Sequence, residues 1–154
     1  MATEPDVTTS GGLINYNLRL AKHIERKMMC DAFMRLSQFG LISKYRYIGF
    51  GSFYFTDFSL FHKRLGITDM ISIEGSESLK DRCLHNKPFR CVKLKIGMSY
   101  ELLASLLPNT KRSIVWLDYD KRLDRDKLVD IEVACKQLVP GSALVISEIG
   151  RAHV

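Results

Sequence analysis

The sequence predicts an α/β fold, a Rossmann-like doubly wound parallel sheet with helices on both faces. Three observations predict it. Short apolar segments of strand length alternate with segments of helical period along the chain. A glycine-broken turn, Gly49-Phe50-Gly51-Ser52, follows the first strand. Later strands end in acids, Glu74 and Asp118. A doubly wound sheet binds its ligand at the carboxyl ends of its strands, so these residues fall along one edge.

Each element has its own signal. Tyr16 to Phe39 carries Leu20, Ile24, Met28, Phe33, Leu36 and Phe39 at helical spacing and stops at Gly40, a residue suited to end a helix. That spacing predicts a helix packed through the apolar stripe. Arg19, Lys22, Arg26 and Lys27 lie on its other face, with His23 nearby. The first reading of that basic face is a solvated surface, the second a lid that meets an anionic substrate. YRYIGF (Tyr45 to Phe50) is a short strand. Thr56 is placed to cap a helix over Asp57 to Leu65, closed by Gly66. Thr68 to Glu74 is a β-branched strand ending in a carboxylate, Ser76 to Leu84 is helical, and Phe89 to Lys95 alternates as a strand. Ser99 is placed to cap Tyr100 to Leu107, before Pro108. SIVWLDYD (Ser113 to Asp120) is an apolar strand running into acids. Leu123 to Leu138 has helical period, and Pro140-Gly141 turns the chain into the last strand, Ser142 to Ser147. About five strands are thus expected, all parallel, with right-handed crossovers.

A chain of 154 residues with 46% hydrophobic and 26% charged residues has the composition of one globular domain. No apolar run spans a bilayer. The first residues, MATEPDVTTSGG, lack the basic and apolar regions of a secretory signal, and residues 1–15 read as a disordered tail. None of the four cysteines forms a CxxC, and Cys83, His85 and Cys91 match no common zinc spacing. The expectation is reduced thiols in a cytoplasmic protein, with no metal. The formal charge of +6 is spread along the chain. It suits an anionic ligand or nucleic acid, but no basic run interleaved with aromatics marks a single-strand binder. His23, His62 and His85 have no partner that sequence alone can place, so no general base is assigned.

The glycine turn narrows the ligand. Gly51 is followed by Ser-Phe-Tyr-Phe, not the lysine and hydroxyl of a P-loop. A dinucleotide fingerprint needs a third glycine where this chain has Tyr54. S-adenosylmethionine (SAM) has no phosphate to cradle, so a two-glycine turn suits it. The competing reading of Gly49 and Gly51 is a plain tight turn. Glu74 lies 23 residues after Gly51, close to the ~20 of the nucleotide-binding pattern. A carboxylate there can accept from both hydroxyls of a ribose. Glu77 reads as a solvated helix charge. Asp118 and Asp120 cannot both face inward if the strand continues, because side chains alternate. Tyr54, Tyr119 and Trp116 are candidates to pack on adenine or substrate, and for Trp116, in mid-strand, the first reading is a core residue.

YIGFGS, MISIEGSE, IVWLDYD and PGSALVIS, in that order, resemble the first motif, the ribose-binding strand end and the fourth and fifth strands of class I SAM-dependent methyltransferases. The order is also similar to a group of bacterial proteins labelled putative O-methyltransferases. The resemblance covers Tyr16 to Ser147. It implies SAM as cofactor, held by Gly49, Phe50, Gly51, Ser52 and Glu74, with Asp118 near the transferred methyl group. It implies a small-molecule acceptor, with oxygen as the attacking atom. The two prolines that follow the strand-four acid in DNA amino-methyltransferases are absent, although nucleic acid stays open as a partner. The chain departs from the pattern at Tyr47, where the family usually has an acid, at Phe53 in place of a third glycine, and after the third strand, where Lys95 to Ser99 holds no acid. The alternatives are a catalytically silent nucleoside-binding module and an NAD-dependent oxidoreductase.

The chain ends EIGRAHV, Glu148 to Val154. GAG ATC GGA AGA GCA CAC GTC encodes it, and from the second base that DNA matches the start of a common sequencing adaptor. The expectation is an incomplete domain over 16–147, truncated at its C-terminus, with 148–154 derived from adaptor. Its last strand would then expose an unpaired edge that invites aggregation.

Overall fold

The computed structural model describes residues 20–148. The segment read as a tail (1–15) and the adaptor-like residues 149–154 lie outside the described residues. Helix α1 spans Leu20–Met34, and 3-10 turns at Arg35–Phe39 and Ile42–Lys44 lead from it to strand β1, Arg46–Gly49. Then come α2 (Thr56–Leu65), β2 (Asp69–Glu74), a 3-10 turn (Glu77–Leu79), α3 (Lys80–Asn86) and β3 (Val92–Ile96). The chain continues through α4 (Ser99–Leu106), β4 (Ser113–Asp118), α5 (Arg125–Gln137) and β5 (Ala143–Ser147).

All four strand pairings are parallel, in the order β3-β2-β1-β4-β5. The register sets Tyr47 beside Met70 and Ile114, and Ile48 beside Ile71 and Val115. Because strand side chains alternate, these two rows face opposite sides. Tyr47, Met70, Val92, Ile114 and Trp116 pack with Cys30, Phe33, Phe58, Phe61 and Cys83, so α1, α2 and α3 cover one face. Ile48, Ile71, Ile73, Val115 and Leu117 pack with Leu103, Leu106 and Ala134, so α4 and α5 cover the other. The chain changes face between β3 and β4, which leaves a crevice beyond the carboxyl ends of the neighbouring β1 and β4. The five-stranded, doubly wound parallel sheet expected from the sequence is the fold. Among the described residues β5 pairs only with β4 and is an edge strand. No helix of the described residues is long and apolar enough to cross a membrane.

Local expectations meet mixed outcomes. Gly66 closes α2 in a left-handed conformation with φ 70°, as its lack of a Cβ permits. Thr56 and Ser99 are not caps but the first helical residues, and the cap positions belong to Phe55 and Met98, neither of which makes a side-chain cap bond. Asp124 does cap, accepting from the Lys127 backbone N–H at 3.1 Å. The largest correction is α1. Leu20, Ile24 and Met28 of its expected inner stripe are 72%, 49% and 66% exposed, while Arg26, Cys30 and Phe33 are buried. The inner face of this helix runs from the apolar core at Phe33 to a polar cavity at Arg26. Its buried side therefore cannot be apolar along its length.

Candidate functional site

A cavity of about 550 Å³ opens at the carboxyl ends of β1, β2 and β4. Phe50, Gly51, Ser52, Glu74 and Asp118 line it; Gly49 does not. The glycines answer first to their own surroundings. A Cβ on Gly49 would meet the Tyr47 hydroxyl at 2.6 Å, and one on Gly51 would meet the Phe55 ring at 2.5 Å and Ser72 Oγ at 2.6 Å. The Gly51 N–H donates to Ser72 Oγ at 3.0 Å. Beyond it, Ser52 and Phe55 hold positive φ of 51° and 48°, uncommon for residues with a Cβ. Two left-handed residues within four positions bend the chain sharply, from the end of β1 into α2.

Glu74 ends β2, and its Oε1 accepts from the Ser76 N–H at 3.0 Å. Strand and turn thus aim the carboxylate at the cavity. Asp118 ends β4, so the strand does not continue to Asp120. Its Oδ1 accepts from Lys22 Nζ at 3.1 Å, and that lysine also lies over the Trp116 ring, 5.8 Å from its centroid. Within the basic face of α1, Lys22 and Arg26 therefore turn toward the strand ends. Trp116 is core, 2% exposed, with its indole N–H on Ser147 Oγ at 2.9 Å.

Sequence reasoning missed Asp57 and its contact with Tyr47, and read Arg26 first as part of a solvated face; Arg26 and Asp57 both line this cavity. Tyr47 is fully buried, its ring edge-on to Phe58 and Phe61 at 4.8 and 5.0 Å. Its hydroxyl donates to Asp57 Oδ2. Asp57 sits in the first turn of α2, 9% exposed, and lines the cavity. Burial raises its pKa to about 6, while Tyr47, Arg26 and the N–H groups of Asp57 and Phe58 pull the other way. Burial and the neighbouring Asp57 charge push the Tyr47 phenol well above its usual range. Arg26 lines the same cavity, 6% exposed. Its Nε and Nη1 have no hydrogen-bond partner. One signal was available: an acid in the first turn of the helix after a glycine turn points back at the strand end.

The model of a family described as Putative O-methyltransferase matches residues 14–151, nearly the whole chain. The chain belongs to that family. The match extends to residue 151, past the start of the segment 148–154 expected to derive from adaptor. No curated protein matches the chain.

In this family member another part of the cavity wall also has a carboxylate, although Lys95 to Ser99, the segment after β3, has none. It is Asp130 of α5, 1% exposed. Its Oδ2 accepts from Ser99 Oγ at 2.5 Å and from the Tyr119 hydroxyl at 2.8 Å. Burial raises the Asp130 pKa, and those two hydrogen bonds oppose the rise. The Tyr119 ring lies against Phe50 with centroids 5.7 Å apart, making an aromatic wall between the glycine turn and α5. Tyr54 is 38% exposed on the rim.

Proposed function

We propose that this methyltransferase-family chain transfers a methyl group from SAM to an oxygen of a small-molecule acceptor. The observation that carries the reading is convergence. The turn after β1, the carboxylate ending β2 and the carboxylate ending β4 meet around one cavity at the switch point of the sheet. Its volume is in the range of small-molecule sites. The residues fit the cofactor: Glu74 has a second carboxylate oxygen for a ribose diol, and Phe50, Gly51 and Ser52 offer backbone beside it. Bound SAM would supply a methyl group made electrophilic by its sulfonium. The chain's own residues would hold and align. Glu74 and the glycine turn fix the donor, Gly49 permits that turn by leaving room for Tyr47, and Asp118 lies where the acceptor would enter. Where the acceptor oxygen has already lost its proton, alignment of this kind can supply a large share of the rate with little acid–base help. Four free cysteines suit the reducing cytoplasm.

A silent nucleoside-binding module has one observation in its favour, the ion pair that ties Asp118 to Lys22. Calorimetric titration with S-adenosylhomocysteine, with NAD as control, tests the binding. Micromolar affinity that Glu74→Ala weakens roughly tenfold or more, with no heat from NAD, is the expected result. Saturation with NAD instead would overturn the SAM reading. Methylation of any acceptor would eliminate the silent module.

A further inference from the structure

Arg26 and Asp57 are opposite charges facing one cavity, yet they form no ion pair with each other. Arg26 is buried with two guanidinium nitrogens unpartnered. A buried arginine in that state is costly, since desolvation is not offset by hydrogen bonds. Asp57 is better held. Tyr47 donates to its Oδ2 from β1, and the helix N–H groups of Asp57 and Phe58 support it. Both charges come from outside the sheet, one from α1 and one from α2, and both lie near the glycine turn. Glu74 is reached from the neighbouring strand, across that turn.

We propose that Arg26 and Asp57 together recognise an α-amino acid group, Arg26 donating to its carboxylate and Asp57 accepting from its ammonium. A guanidinium and a carboxylate that face one cavity without forming an ion pair with each other are the complement of a zwitterion. Arg26 brings a planar fork that matches a carboxylate. The Tyr47 hydroxyl, donating to Oδ2, fixes the Asp57 carboxylate at the cavity. The inference rests on the SAM reading, because the amino acid group in question is the methionine end of the cofactor.

The test compares two probes that share the nucleoside and differ in the amino acid. S-Adenosylhomocysteine has it and 5′-methylthioadenosine lacks it. Arg26→Met and Asp57→Asn are each expected to weaken S-adenosylhomocysteine roughly tenfold or more and to leave methylthioadenosine within about twofold. Retained methylthioadenosine binding also shows that the variants fold. If both variants bind both probes as the wild type does, the zwitterion assignment is wrong while the SAM site stands, and Arg26 is then free to meet an anionic acceptor. If both probes weaken equally, the two residues only hold the fold, and the assignment again fails. If the wild-type chain binds neither probe, the SAM reading falls and takes this inference with it.

Discussion

Asp57→Asn should remove a specific pH dependence of stability. The Asp57 pKa is about 6 in the fold, raised from 3.8, with burial as the largest cause. A raised acid pKa means that the folded chain holds the proton more tightly than the unfolded chain. The stability that this proton contributes is complete below about pH 4 and is lost as pH rises through about 6. A shift of some two units corresponds to about 3 kcal/mol. The groups facing Asp57 are the Tyr47 hydroxyl from β1, the Arg26 guanidinium from α1 and the N–H groups of its own helix. Asparagine keeps an acceptor for Tyr47 and never ionises. The difference in unfolding free energy, variant minus wild type, should therefore rise by about 3 kcal/mol between pH 4 and pH 7 and be flat on either side. Urea titrations across that range measure it, followed by the fluorescence of Trp116, the single tryptophan, which is 2% exposed. Taking the difference cancels contributions that do not involve Asp57, among them that of Asp130, whose pKa burial also raises. A flat curve, or one that falls, would show that Tyr47 and Arg26 outweigh burial.

Two further outcomes follow from the same contacts. Tyr47→Phe keeps the ring packing but removes the donor to Asp57, so it should cost about 1–3 kcal/mol at neutral pH. The loss should shrink where Asp57 is protonated, because hydrogen bonds to the charged form are stronger; an equal loss at both pH values would count against the bond. Gly51→Ala places a Cβ 2.5 Å from the Phe55 ring and 2.6 Å from Ser72 Oγ. It should destabilise the chain by about 1–3 kcal/mol in thermal or urea unfolding, and an unchanged midpoint would show that the turn has slack.

The sheet was legible because each strand is a short apolar run that pattern alone identifies, and turn residues such as Gly66 separate it from the next helix. The strand-end acids Glu74 and Asp118 were legible for the same reason, since finding the strand finds its end. The helix faces were not. The stripe of Leu20, Ile24 and Met28 is a sound amphipathic pattern, but packing turned Arg26 inward instead. Tertiary position decides whether a helix meets a core or a cavity, and α1 meets both. Asp57 was hidden differently. One acid in a first turn is an ordinary helix charge, and only the fold brings Tyr47, ten residues earlier, onto its carboxylate. Asp130 and Ser99 lie 31 residues apart, beyond the reach of any local pattern.

Among the described residues, five buried side-chain atoms lack a hydrogen-bond partner, and three of them belong to Arg26 and Asp130. Those two residues line the same cavity from different helices, α1 and α5. Of the other two atoms, Asp69 Oδ1 lies at the start of β2 and Gln137 Oε1 at the end of α5, whereas the strand side chains Ser72 and Trp116 are hydrogen-bonded. Three of the five unsatisfied atoms thus belong to residues that line the cavity, and packing does not explain them, since an apolar side chain at either place would be less costly. A ligand with an anionic group near Arg26 and a hydrogen-bond donor near Asp130 would satisfy both at once. Its binding would add to stability by mass action, and the stabilisation should be largest for the probe that reaches Arg26.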